Sequence, residues 1–348
     1  MELLQISYRS TYLNIKPTIL KQIAVVILNW NGVQLLEQFL PSIVAYSPEA
    51  TIYVADNAST DSSIAFVTAN YPDIKIIVNK DNYGFAQGYN EALQHVDEEI
   101  YALVNSDIEV TENWLQPIID TFNIEPTTAI IQPKILDYKS KAYFEYAGAA
   151  GGYIDKYGYP YCRGRVFDTI EKDLGQYDDH ATIFWASGAC FFIRKKIFKE
   201  LQGFDSSFFA HQEEIDLCWR ANNKGHIIKY NYLSKVYHVG GATLQQGNAQ
   251  KTYLNFRNSL LMLTKNLPQW KLLPVLFCRM ILDGIAALQF LLKGKTAHFS
   301  AIFKAHLNFY ALVSKAYKKR DNFQMKKYYR AESIVYTYYI KGGKVFVK

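Results

Sequence analysis

Between Gln22 and about Val110, continuous β-branched runs alternate with stretches whose apolar residues fall at helical spacing. QIAVVILNW is apolar at consecutive positions, as a strand buried on both faces of a parallel sheet is. GVQLLEQFLPSIVAY then sets Leu35, Leu36, Phe39, Leu40 and Ile43 on one helical face. TIYVADNAS predicts a second strand, and DSSIAFVTANY a short helix with Asp61 as its N-cap. IKIIVNK predicts a third strand, followed by the turn DNYGFAQG and the helix YNEALQHV. YALVNSD closes the series as a fourth strand. The alternation predicts an α/β, doubly wound sheet, in which ligands bind beyond the carboxyl ends of the strands. Polar residues gather at all four of those ends: Asn29 to Asn31, Asp56-Asn57, Asn79 to Gly84, and Asn105 to Asp107. Hydrophilic loops alone account for one or two such clusters, not four.

Beyond Val110 the periods weaken. Tyr138 to Gly164 is rich in Tyr and Gly, without helical spacing, and predicts irregular loops with a small hairpin beside a cleft. IFWASGACFFIRKKIFKELQGFD predicts a strand carrying Ser187-Gly188, then a short amphipathic helix. Around residues 213–224, Ile215, Leu217, Cys218 and Trp219 alternate with Glu213, Glu214, Asp216 and Arg220 on a helix that Gly225 ends. KYNYLSKVYHVGG is strand-like and delivers His238. Residues 251–348 are helical in character, with repeated Tyr and Phe.

The 348 residues suffice for one large α/β domain plus an appendage, and 49% hydrophobic content excludes a disordered chain. The net charge of +6 conceals a division: residues 1–250 hold 20 Lys and Arg against 29 Asp and Glu, residues 251–348 hold 18 against 3. An acidic body thus carries a basic tail suited to an anionic surface. The four cysteines form no CxxC pair, so no zinc ribbon or redox motif is indicated, and Cys190 and Cys218 are expected as reduced core residues. The first residues lack a basic start followed by an apolar run, and no signal peptide is expected.

VVILNWNG, VADNASTDSS, NKDNYGFAQGYNEAL, LVNSD, ASGACFFIRKKIFKELQGFD, EEIDLCWR and HVGGAT occur in this order between Gln22 and Asn258. Together they resemble the family 2 inverting glycosyltransferases of the GT-A fold, in particular their bacterial rhamnosyltransferase-like branch. The resemblance implies a GT-A, nucleotide-diphospho-sugar transferase type of domain over residues 22–250, an N-terminal extension over 1–21, and a C-terminal helical region over 251–348. It implies inverting sugar transfer from a UDP- or dTDP-linked donor to a saccharide or lipid-linked glycan in cell-surface polysaccharide synthesis.

Each candidate residue also has a plain structural reading. Asn105-Ser106-Asp107 falls on the family's Asp-x-Asp position, which implies Asp107 as a ligand of Mn²⁺ or Mg²⁺; alone, it is also a good turn. Asn105 stands where the family has an acid, and can hydrogen-bond a sugar hydroxyl without adding charge. His238 is the candidate nitrogen ligand, or a structural histidine beside a strand. Glu213-Glu214-Ile215-Asp216 matches the family's Glu-Asp-x-Asp and implies Glu214, where Asp is commoner, as the base that takes the acceptor's proton. Its alternative is a solvated acidic helix start. Asp216 and Arg220, four apart, are expected to pair and support the site. Asp56 is implied to accept a pyrimidine imide N–H, with Asn29, Trp30 and Asn31 packed against the base. Asn82, Tyr83 and Gly84 offer a helix start to diphosphate oxygens, and Trp185, Ser187 and Gly188 are candidates for the acceptor side.

In the tail, PVLFCRMILDGIAALQFLLKG is interrupted by Arg279 and Asp283, and its longest uncharged run, Gly284 to Leu292, is nine residues. A spanning helix takes about twenty. These helices are therefore expected to lie on an anionic membrane surface, at the inner face of the cytoplasmic membrane, with Phe299, Ile302, Phe303, Phe309, Tyr310 and Val313 on one face. Lys318, Lys319, Arg320, Lys326, Lys327 and Arg330 would meet lipid headgroups. A packed subdomain or a homodimer contact is the alternative, and no nucleic-acid-binding module accompanies the charge. Two rival functions remain at this stage: a catalytically silent sugar-nucleotide-binding module, and a nucleotidyltransferase, which NWNGVQLLEQ disfavours by lacking a basic Gly-rich loop.

Overall fold

The computed structural model describes residues 23–240 and 248–347. The extension over 1–21 and the last three residues of HVGGAT lie outside them.

The first strands form as their composition demands. β1 (Ile23–Asn29) lies between β2 (Ala50–Asp56) and β4 (Ile100–Asn105), parallel to both, and Ala24 to Ile27 are fully buried. β3 (Lys75–Val78) extends the sheet beside β2. Three helices connect them: α1 (Val33–Ala45), α2 (Ser63–Asn70) and α3 (Gly84–Ala92). Two boundaries differ from the sequence reading. Asp61 does not cap α2 from the position next to it; its carboxylate accepts from the N–H groups of Ser63 and Val33, both at 3.0 Å. α3 begins five residues earlier than expected, because Gly84, at φ +68°, turns the chain directly into the helix.

After β5 (Ile108–Val110) and α4 (Gln116–Ile124), the sheet becomes mixed. β6 (Thr128–Asp137) pairs with β12 (Cys190–Arg194), which runs antiparallel to β4. β13 (Ile227–His238) lies parallel to β6 and also holds β5 and β11 (His180–Thr182) antiparallel. The order β11-β13-β6-β12-β4-β1-β2-β3 is therefore a parallel half joined to a mixed half. A second sheet, of four short antiparallel strands, replaces the expected hairpin: β7 (Gly152–Ile154), β8 (Pro160–Cys162), β9 (Arg165–Val166) and β10 (Thr169–Ile170). Ser187-Gly188 precedes β12 rather than lying in it.

α5 (Lys195–Glu200) and α6 (Glu213–Asn223) follow, and then the C-terminal helices α7 (Ala249–Asn266), α8 (Gln269–Leu292), α9 (Thr296–Lys318) and α10 (Ile334–Tyr339). The last hundred residues are tied into the body. Buried Lys265 on α7 bridges Asp205 (2.7 Å) and Asp216 (2.8 Å), and Asn266 donates to the other oxygen of Asp216. Removing one partner of such a buried set costs about 3–5 kcal/mol, because it strands a charge without water. Further on, Tyr328 stacks on Trp219, Asp155 accepts from Ile334 N at 2.9 Å, and Phe346 packs on Tyr153.

The basic cluster after α9 is partly consumed in this docking. Lys319 pairs with Asp205 at 2.6 Å, and Arg320 donates to the carbonyls of Thr264 and Leu267. Those two side chains are structural rather than free for headgroups. The single apolar face expected on α9 is also two faces, since Ile302 and Phe309 are buried against the body while Phe299, Phe303 and Tyr310 are exposed.

Candidate active site

The strand ends meet in one row. Asn29 is in register with Asp56, Asn105 with Leu28, and Asn79 N donates to Asp56 O at 2.8 Å. Asp56 is fully buried; its oxygens accept from Ser59 N (2.7 Å), Ser59 Oγ (2.6 Å) and Asn29 Nδ2 (3.0 Å). Asn29 Oδ1 is buried without a partner. A Cβ on Gly32 would stand 2.4 Å from that oxygen, so the glycine is needed where the chain leaves β1. Trp30 presents its ring at 48% exposure. Asn31, at φ +48°, is exposed and braces the neighbouring loop by accepting from Thr60 N at 2.7 Å.

Asp107 and His238 come together through strand pairing. Asp107 immediately precedes β5, and Ile108 is in register with His238 at the end of β13. Asp107 Oδ1 lies 3.2 Å from His238 Nε2, and both side chains are about 6% exposed. On the other side of the ring, His238 Nδ1 lies 3.2 Å from Glu145 Oε1, though it lacks a well-directed hydrogen bond. Burial pushes the imidazole pKa down, but the Glu145 and Asp107 carboxylates overcome it and raise it to about 10. Burial likewise opposes ionisation of Asp107, and His238 reverses that, holding its carboxyl below the usual range. One carboxylate oxygen and one imidazole nitrogen on a buried, polar edge are a donor set that suits a divalent cation of the Mn²⁺ type. Among the described residues no third Asp, Glu, Cys or His completes a protein-only metal cage. Asn105 and Ser106 are partly exposed beside the pair.

The acidic helix start lies on a strained loop. Phe209, His211 and Gln212 all adopt positive φ before α6. α7 holds this loop: Asn258 Nδ2 faces the carbonyls of Phe208 (3.0 Å), Ala210 (2.9 Å) and His211 (2.7 Å), and Arg257 donates to those of Ser207 and Phe208. The consecutive residues His211, Gln212, Glu213 and Glu214 each keep one buried polar atom without a partner. Such a row is costly in a core and suited to a ligand. Burial raises the Glu214 carboxyl to about 7, and raises Glu213, which also faces Glu214, well above the ordinary range. Gly188 is the near neighbour of Glu214; a Cβ there would meet the Glu214 side chain at 3.7 Å and Phe85 at 3.3 Å.

Other expectations are corrected. Trp185 is 2% exposed, donates Nε1 to Tyr153 O at 2.9 Å and covers Gly152, so it is a core residue and not an acceptor wall. Ser187 is 1% exposed and accepts from Ala189 N, which makes it a brace for the turn into β12. The α3 start does not offer free N–H groups to a diphosphate: Asn82 Oδ1 takes Gly84 N, and Phe209 O takes the N–H groups of Phe85 and Ala86. Asp216 and Arg220 pair at 2.8 Å as expected, and Arg220 also donates to the carbonyls of Leu201 and Gly203, anchoring α6 from below. Glu145 and Asn258 were not singled out. Glu145 is the one acidic residue in the small and aromatic run YFEYAGAAGG, a signal available in the sequence.

Known proteins resemble this chain in sequence and in fold. Residues 24–202 match the profile described as Glycosyl transferase family 2. The chain is 22% identical over 218 residues to the N-acetylglucosaminyl-diphospho-decaprenol L-rhamnosyltransferase of Mycobacterium tuberculosis, covering 58% of this chain and 71% of that protein. Its fold is that of GT-A enzymes of known structure. S. aureus TarS 1–349 with UDP-GlcNAc superposes with a TM-score of 0.56 at 13% identity, over 86% of this chain and 84% of the other. GalNAc-T7 with UDP, GalNAc and Mn²⁺ gives 0.57 at 17% identity, over 72% of this chain and about half, 49%, of the other.

The Glu214 shift fixes the sign of a pH effect. With the folded pKa near 7 and the unfolded value near 4.5, this carboxyl favours the folded state below pH 4.5, and that contribution is lost as pH rises to about 7. Glu214→Gln, uncharged throughout, is expected to raise the melting temperature at pH 8 and to leave it unchanged at pH 4, as read by thermal unfolding at the two pH values. An equal change at both would contradict the buried, raised carboxyl.

Proposed function

Because the chain belongs to glycosyl transferase family 2, we propose that its cleft transfers a sugar, with inversion, from a UDP- or dTDP-linked donor to a saccharide or lipid-linked glycan acceptor in cell-surface polysaccharide synthesis. The observation that carries this reading is the buried Asp107–His238 pair at 3.2 Å, at the same sheet edge as Asp56. TarS and the mycobacterial rhamnosyltransferase act in support of the donor and acceptor classes. Family membership sets aside the nucleotidyltransferase alternative.

In this mechanism Asp56 accepts the imide N–H of the base, a fourth donor that the carboxylate's lone pairs accommodate, and Trp30 offers its exposed face to the ring. Asp107 and His238 are the residues that would hold a divalent cation, of the kind named in the GalNAc-T7 structure, and such a cation would supply positive charge to a departing diphosphate. The acceptor hydroxyl attacks the anomeric carbon on the face away from the diphosphate. The bond from that carbon to the phosphate oxygen breaks, its electron pair leaves with the diphosphate, and the hydroxyl proton passes to Glu214. A carboxylate raised to about 7 is a stronger base than an exposed one and still ionised in useful proportion at neutral pH. Glu213 beside it is also raised well above the ordinary range, by burial and by the Glu214 carboxylate.

The C-terminal helices support a surface location for this reading. Arg279 and Asp283, which interrupt α8 in sequence, are 2% and 0% exposed and face the body. The opposite face carries Trp270, Leu273, Phe277, Ile281, Ile285, Leu288 and Leu292, all at least half exposed. α8 is long and apolar enough to cross a membrane, with a mean hydropathy of 1.9. Its contacts with the body through Arg279 and Asp283 instead favour a helix lying in the plane of an anionic surface, on the cytoplasmic side. Exposed Lys293, Lys295 and Lys304 border the apolar stripe and suit that surface better than a second copy of the same basic face.

Two experiments test these assignments. Asp107→Ala is expected to abolish the Mn²⁺-dependent thermal stabilisation by donor nucleotide, whereas Glu214→Gln is expected to keep it and to lose transfer by about 10²-fold or more. Undiminished transfer by Glu214→Gln removes that residue as the base, and a wild-type protein that binds donor without turnover favours the silent module. For the surface, the double variant Phe277→Glu/Ile281→Glu is expected to lose sedimentation with phosphatidylglycerol vesicles while melting as wild type. Retained sedimentation contradicts the interfacial helix, and a wild-type dimer that dissociates in the variant assigns the face to a second copy.

A further inference from the structure

A buried guanidinium on the small sheet is left unused by this mechanism. Arg165 is 7% exposed. Other buried arginines have a carboxylate within ion-pair distance, Arg163 with Asp179 at 2.7 Å, Arg220 with Asp216 at 2.8 Å and Arg279 with Asp283 at 3.6 Å, although Arg163 Nη2 and Arg279 Nε lack a hydrogen bond. Arg194 spends its donors on the carbonyls of Phe122, Glu125 and Thr128. Arg165 has neither solution. Its Nε donates to Tyr146 O at 2.9 Å and its Nη2 to Cys162 Sγ at 3.4 Å, a weak acceptor. Among the described residues its Nη1 has no partner and no carboxylate forms an ion pair with it. A guanidinium held this deeply without an anion is costly, and its planar fork fits phosphate oxygens.

Its position puts it at the site. Tyr146, which anchors Nε and lies under the guanidinium at 4.7 Å, directly follows Glu145, the carboxylate facing His238. Cys162, which anchors Nη2, is pushed up to about 11 by burial, and both the Glu145 and Glu214 carboxylates act on it in the same direction. Arg165 is thus anchored on the residue next to Glu145, the carboxylate behind His238.

A diphosphate supplies the anion that this guanidinium lacks, and its oxygens match the planar fork. Resting on the reading proposed above, we propose that Arg165 binds a phosphate oxygen of a diphosphate group in the cleft. That group belongs either to the nucleotide donor or to a diphosphate-linked lipid acceptor.

Calorimetric titration of the full chain with Mn²⁺ and UDP, dTDP or geranyl diphosphate tests this in wild type, Arg165→Gln and Arg165→Lys. Arg165→Gln is expected to weaken diphosphate binding about ten-fold or more. Arg165→Lys, which keeps the charge without the fork, recovers part of the loss and serves as the comparison if the Gln variant melts early. Weakening confined to UDP or dTDP assigns the donor, and weakening confined to geranyl diphosphate assigns the acceptor. Unchanged affinity for every probe that wild type binds overturns the assignment while leaving the glycosyltransferase reading intact. Failure of wild type to bind either nucleotide overturns that reading, and the geranyl diphosphate titration still decides Arg165. Failure to bind all three overturns both.

Discussion

The antiparallel pairing of three residues of β5 with the end of β13 is the constraint on which the site depends. Val110 and Ile108, both buried, fix the register against Val236 and His238. A slip by one residue would turn His238 to the opposite face of the sheet and leave Asp107 without it. The parallel half of the sheet supplies Asp107 from the end of β4, and the mixed half supplies His238. The candidate metal pair therefore exists only where the two halves close on each other.

The second half of the site is held from outside the sheet. The left-handed residues Phe209, His211 and Gln212 form a loop whose carbonyls have no helix or strand to pair with. Asn258 and Arg257 on α7 take those carbonyls, and the Lys265–Asp216 ion pair fixes α6 below them. Strain in the loop before Glu214 is thus balanced by contacts far along the chain. The C-terminal helices therefore hold the loop before α6 on one side and expose an apolar stripe on the other.

The sequence was most informative where a local rule decides the structure. The β-branched runs marked the parallel strands, the polar residues at their ends marked the cleft edge, and EEIDLCWR marked α6 with its internal ion pair. It was less informative where distant chain decides. Trp185 has the composition of a sugar-stacking residue, but only Gly152, 33 positions away, leaves room for it in the core. The start of α3 has the composition of an anion site, but Phe209 O, brought by the loop before α6, occupies it. Arg279 and Asp283 interrupt an apolar run in sequence, yet one helical face gathers them toward Tyr159 and His306 and leaves the other unbroken. Glu145 was legible only as a lone charge among small and aromatic residues. Its partner, His238, is fixed by β13.

The central claim is that one carboxylate and one imidazole, brought together by β5 and β13, hold the cation that faces the diphosphate. Electron–nuclear double resonance on Mn²⁺ bound to the full chain with UDP or dTDP reads this directly. The account predicts a ³¹P coupling from the diphosphate together with a ¹⁴N coupling that disappears in His238→Ala. A ³¹P coupling with no nitrogen coupling, or one unaffected by that substitution, would contradict it.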